Sequence, residues 1–141
     1  PHTCIAAWTA IDAATQENGC LYVAPGSQKK NIICPKEEAS EWMSYGDSHI
    51  KPFPRDLRPV PVAVPRGSTM FFGGHLVHGS RPNRSTDRWR RTSIGHYIDD
   101  VSEQIASFYH PVLNRHGETV DSLHIPQGGG PCGDGWLGAV H

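Results

Sequence analysis

FFGGHLVHGSRPNRSTDRWRR, residues 71–91, decides the fold. Phe71-Phe72 closes one apolar run, Gly73-Gly74 breaks it, His75 to His78 resumes it, and a polar turn through Asn83 leads to a further strand from Arg91 to Ile98. Short extended segments joined by tight turns belong to a sandwich or barrel. The same stretch concentrates chemistry. His78 ends an apolar strand and is followed by Gly79 and Ser80, so its imidazole can face a pocket where the backbone turns away. Arg88, Arg90 and Arg91 lie ten, twelve and thirteen positions downstream, and a returning strand brings one of them alongside His78. A guanidinium binds a carboxylate through two parallel hydrogen bonds, which lysine cannot reproduce. Ser80 can donate to the same carboxylate. A metal-binding histidine, a serine and an arginine together describe a site for a dicarboxylate that chelates metal at one end and is clamped at the other. Two plainer readings stay open on these residues alone: a half-buried histidine bonded to a carbonyl, and RWRR as a solvated basic edge.

Working outward, 12 prolines and 15 glycines cut the chain into short pieces, and helical periodicity is almost absent. Residues 4–11 form an apolar strand, residues 12–19 a polar connector ending in the Asn18-Gly19 turn signal, and residues 20–24 a second strand closed by Pro25-Gly26-Ser27. Residues 50–61 carry four prolines and belong to an extended surface loop, a common roof for a pocket. Strand rhythm returns over Val60 to Val64 and Thr69 to Phe72, and residues 112–120 read as a hairpin tip. Two short helices are expected. One runs from Pro35 to Met43, with proline in its first turn and Trp42 and Met43 packed inward; the other covers 101–109, where Asp100 and Glu103 have capping-box spacing.

A chain of 141 residues fits one domain with a modest core. With 13 basic and 14 acidic residues and a net charge of -1, no global field attracts nucleic acid or an anionic membrane. No apolar run approaches the roughly 18 residues of a membrane span, and residues 1–8 lack the features of a signal peptide. Cys4, Cys20, Cys34 and Cys132 form no Cys-x-x-Cys pair and are expected as reduced thiols, which places the protein in the cytoplasm. His75 and His78 are the only close pair of zinc-type ligands. Oligomeric state is not legible.

Trp8-Thr9-Ala10-Ile11-Asp12, Thr15-Gln16-Glu17-Asn18-Gly19-Cys20-Leu21, Pro25-Gly26-Ser27 and Phe72 to Asn83, in that order, resemble the phytanoyl-CoA dioxygenase family of iron(II)- and 2-oxoglutarate-dependent oxygenases. The likeness runs over roughly residues 2–98 and looks like the C-terminal part of such an enzyme. It implies an all-β, cupin-like double-stranded β-helix (jelly roll) with short peripheral helices, here incomplete. It also implies Fe(II) as cofactor, 2-oxoglutarate as cosubstrate, and dioxygen and a small-molecule substrate as partners. The expected reaction hydroxylates a small organic or acyl substrate and releases succinate and CO2. By the same resemblance His78 is the distal metal ligand, Ser80 and Arg90 hold the far carboxylate of 2-oxoglutarate, and Trp8 lines the cosubstrate pocket. Arg90 matches best because it opens the strand six residues before His96; Arg88 and Arg91 compete because the turn here is about one residue longer than usual.

The sequence departs from the family pattern in three places. The His-x-Asp pair that supplies the other two ligands occurs nowhere in the 141 residues, and is expected upstream of Pro1. His116-Gly117-Glu118 is its nearest imitation and sits in the expected hairpin turn. Gln28 stands where histidine usually follows Pro-Gly-Ser, and Gly67-Ser68 where Gly-Asp is usual. A facial triad fixes both the metal and its open positions, so one histidine holds iron poorly and this piece alone is expected to be inactive. The alternative from another class is a non-catalytic cupin-like binding or structural module.

Overall fold

The computed structural model describes residues 4–34, 36–38, 47–50, 52–106 and 109–125. Its eight strands are β1 (Ile5–Ala10), β2 (Leu21–Val23), β3 (Lys36–Glu38), β4 (Asp47–His49), β5 (Val60–Val62), β6 (Thr69–Gly73), β7 (His78–Ser80) and β8 (Thr92–Tyr97). They form two three-stranded antiparallel sheets, β6-β1-β8 and β5-β2-β7, and a small β3-β4 ribbon. From β5 onward the chain alternates between the two larger sheets. The all-β, cupin-like class expected from the sequence is therefore the class observed.

Alternation along β1 explains the core. Ala6, Trp8 and Ala10 are buried, while Ile5 and Ala7 are not. Residues paired directly across an antiparallel ladder share a face, so the inner face of this sheet also carries Met70, Phe72, Ile94 and His96, the partners of Trp8 and Ala6. Across from it Leu21 points inward from β2 and joins Trp8, Ala10, Ala14, Cys20 and Val64 in one cluster, with Val62, Met70 and Phe72 packed against it. Pro61 lies in β5, at a sheet edge, where its missing donor does least harm.

Several expectations need correction. Lys36 to Glu38, expected as helix, is strand β3 paired with β4; Trp42 and Met43 lie outside the described residues. Residues 101–106, expected as helix, are not: Gln104 makes a parallel bridge to His124, and the Ile105 amide donates to the His124 carbonyl at 3.1 Å. In both places local helix signals lost to strand pairing with a distant segment. A 3-10 turn covers Ser27–Lys29, in the loop after β2. Of the cysteines, Cys4 and Cys20 are free and buried, as expected, but Cys34 is disulfide-bonded. The hairpin tip is present, with Leu113 bridged to Thr119 and the turn made at Gly117, whose φ is 80°.

Candidate active-site cleft

Two inner-facing edges are exposed where the rest of the interior is sealed. On β7, His78 and Ser80 pair with Val23 and Leu21, so they face the same side as buried Leu21, yet both are exposed. On β8, Ile94 pairs with Trp8 and faces inward but is 51% exposed, whereas Trp8 is 2% exposed. His78, Ser80 and Ile94 thus face inward by register yet are open to solvent, one side of a candidate cleft, with Phe72 packed against His78.

His78 is held in one orientation. Its ring packs on Phe72 at 4.6 Å between centroids, and its Nδ1–H donates to the Leu76 carbonyl at 2.8 Å. A carbonyl can only accept, so Nδ1 carries a proton; in the neutral ring that leaves the lone pair on Nε2, the arrangement typical of a metal-bound histidine. Ser27 contributes from a distance: it is 2% exposed and its Oγ accepts the Val77 amide at 2.8 Å, fixing the backbone immediately before His78. Across the sheet His96 pairs with Ala6, which also pairs with Phe72, so a small residue separates two rings on one row. Partial burial first, and the charge of His78 second, hold the His96 imidazole below its ordinary pKa. His78 and His96 therefore belong to one neighbourhood.

The three arginines separate cleanly. Arg88 pairs with Glu17, and Arg91 makes a fork to Asp12, with Nε to Oδ2 at 2.8 Å and Nη2 to Oδ1 at 2.9 Å. Those bonds hold the Asp12 carboxyl far below the usual carboxylate range. Arg90 makes no ion pair among the described residues and is half-buried. Arg90 lies two residues before β8, between the Arg88 and Arg91 ties.

Within the described residues no group of three or more His, Cys, Asp or Glu side chains could hold a metal ion. His78 fits one ligand position of the implied iron(II), and the described residues supply no full set. His116 and Glu118 sit in the hairpin at 113–119, where Asn114 accepts both of their amides. Past His96, a cavity of about 220 Å³ is lined by Cys4 and Ile98 and by Ile105, Tyr109, Val112 and Leu113 of the following segment. His96 and Tyr109 meet edge to face at 5.3 Å at its border, and burial raises the pKa of both the Tyr109 phenol and the Cys4 thiol.

Sequence reasoning missed the residues that hold the cleft in shape. Asn18 was legible only as a turn signal, yet it is 1% exposed and makes four hydrogen bonds. Asp12 was legible only as a motif position. No local signal distinguishes a turn asparagine that caps its own loop from one that also grips a segment 71 residues away.

Comparison with known proteins agrees with this fold. The profile of the family described as phytanoyl-CoA dioxygenase (PhyH) matches residues 1–92. A Caenorhabditis elegans "probable phytanoyl-CoA dioxygenase" is 35% identical over 97 residues, which cover 67% of this chain and 30% of the relative. A Gimesia maris "methylphosphonate hydroxylase" is 34% identical over 113 residues, 80% of this chain and 40% of the relative. Among solved structures, the non-heme alpha-ketoglutarate-dependent epimerase SnoN from nogalamycin biosynthesis superposes with a TM-score of 0.52 at 26% identity, covering 69% of this chain and 35% of that one. The chain thus spans between a quarter and a half of the length of the proteins it matches. With the family model matching residues 1–92, the chain belongs to the phytanoyl-CoA dioxygenase family.

Proposed function

We propose that this chain is the C-terminal part of the catalytic domain of an Fe(II)- and 2-oxoglutarate-dependent dioxygenase that hydroxylates a small organic or acyl substrate. The reading is supported by two observations: His78 and Ser80 face inward by register, and Arg90 is half-buried with no carboxylate of the described residues paired to it. His78 Nε2 takes one metal position, and the remaining ligands come from chain outside these residues. The chemistry supplied by iron(II) when bound is the coupling of 2-oxoglutarate decarboxylation, giving succinate and CO2, to insertion of one dioxygen oxygen into a C–H bond.

The chain's own residues bind and orient. Arg90 donates two parallel hydrogen bonds to the far carboxylate of 2-oxoglutarate, and the Ser80 hydroxyl donates a third. The Trp8 indole walls that end of the cleft and excludes water, which strengthens the charged bonds beside it. The cavity beyond His96 takes part of the substrate; at about 220 Å³ it is below the ~300 Å³ at which whole drug-sized ligands are accommodated. No helix among the described residues is long and apolar enough to cross a membrane. The disulfide at Cys34 removes the all-reduced-thiol ground on which a cytoplasmic location was expected.

The test is iron-dependent 2-oxoglutarate binding and succinate formation in the full-length protein. His78→Ala should abolish both, and Arg90→Ala should weaken 2-oxoglutarate binding by ~100-fold, the scale of a lost charge-assisted pair. Normal turnover without His78 would refute the metal role, and loss of binding at Arg88→Ala with none at Arg90→Ala would move the clamp.

A further inference from the structure

The turn at 12–18 grips the segment 84–91 at four points. The Arg84 amide donates to the Glu17 carbonyl at 2.9 Å, the Glu17 carboxylate pairs with Arg88, Asn18 Nδ2 donates to the Trp89 carbonyl at 3.0 Å, and Asp12 takes the Arg91 fork. Asp12 Oδ2 also accepts the Arg91 amide at 2.9 Å, and the Ile11 amide donates to the Arg91 carbonyl at 3.0 Å. Residues 88, 89 and 91 are all held, and Arg90, between them, is not. The peptide on each side of Arg90 is fixed while its side chain keeps every donor for something else. Side-chain anchors on both neighbours cost conformational freedom.

We infer that Asp12 and Asn18 are positioning residues for the Arg90 guanidinium, setting its direction toward the far carboxylate of a bound 2-oxo dicarboxylic acid. This deepens the reading above and rests on it. Asp12 holds both the Arg91 guanidinium and the Arg91 amide, so the peptide that follows Arg90 is fixed. Asn18 fixes the peptide carbonyl before Arg90. A two-point clamp tolerates little misplacement, since an error near 1 Å can cost ~100-fold.

The test compares 2-oxoglutarate with 2-oxobutyrate, which keeps the chelating keto-acid end and lacks the far carboxylate, both measured by binding to the iron(II)-loaded full-length protein. Asp12→Asn and Arg91→Ala remove the same tie from a surface ion pair. Each is expected to weaken 2-oxoglutarate binding ~10-fold with 2-oxobutyrate unchanged, and the two losses should not add. In an Arg90→Ala background, Asp12→Asn should cost nothing further. A general disturbance of the fold would weaken both ligands alike, and that outcome overturns the inference. So does full 2-oxoglutarate affinity in Asp12→Asn while Arg90→Ala is impaired. Unchanged 2-oxoglutarate affinity in Arg90→Ala itself would instead overturn the clamp assignment on which the inference rests.

Discussion

Replacing Asn18 by alanine tests whether the 12–18 turn is held as the hydrogen bonds indicate. The Asn18 side chain accepts the Thr15 amide at 2.7 Å and the Thr15 hydroxyl at 3.1 Å, and donates to the Ala13 carbonyl at 2.8 Å and the Trp89 carbonyl at 3.0 Å. It is 1% exposed, so water does not replace these partners when it is removed. At about 1 kcal/mol net for each neutral bond, the loss is ~4 kcal/mol, a large share of the 5–15 kcal/mol by which a domain of this kind is stable. The assay is urea denaturation followed by tryptophan fluorescence, with the midpoint read at fixed m. Asn18→Asp separates the terms: it keeps the acceptor that Thr15 uses and loses both donors. It also sets a carboxylate against the Ala13 and Trp89 carbonyls, so it should be at least as damaging as losing two bonds, ~2 kcal/mol. A midpoint shift worth less than ~1 kcal/mol in Asn18→Ala, or wild-type stability in Asn18→Asp, would refute the reasoning.

Gly19 has φ +86°, and a Cβ there would lie 2.6 Å from the Arg81 carbonyl oxygen, so Gly19→Ala should lower stability by ~2 kcal/mol or more in a thermal melt. Trp8→Ala empties the centre of the core cluster and should cost ~3–5 kcal/mol by the same denaturation assay. Asp12 has its carboxyl pKa lowered from 3.8 by its hydrogen bonds to Arg91, side chain first and backbone second. The folded state therefore binds that proton less readily than the unfolded chain, so its stabilisation is complete above about pH 4 and is lost as the pH falls further. Asp12→Asn should flatten the acid limb of stability between about pH 4 and pH 2, measured by denaturation at each pH; an unchanged limb would count against the ion pair.

The sequence made the strands legible wherever alternation and turn chemistry agree, as in Ala6-Trp8-Ala10 and the Asn18-Gly19 turn. Motif order over residues 2–98 made the family and the candidate His78, Ser80 and Arg90 legible. What failed was local helix signalling. At the capping spacing of Asp100 and Glu103 the side-chain bond that forms is a different one, from Ser102 Oγ to Asp99 Oδ1 at 2.9 Å, and it shapes a turn that the bridge from Gln104 to His124 then extends. Competition among Arg88, Arg90 and Arg91 could not be resolved from spacing because it turns on partners 71 and 79 residues away, Glu17 and Asp12. Long-range ion pairs leave no periodic trace.

The four-point grip between residues 12–18 and 84–91 has a consequence for recombination among homologues. These two loops form a single graftable module: a chimaera that imports one without its mate would inherit an arginine aimed by the wrong scaffold. Tight cosubstrate binding should survive exchange between relatives only when both crossover boundaries move together.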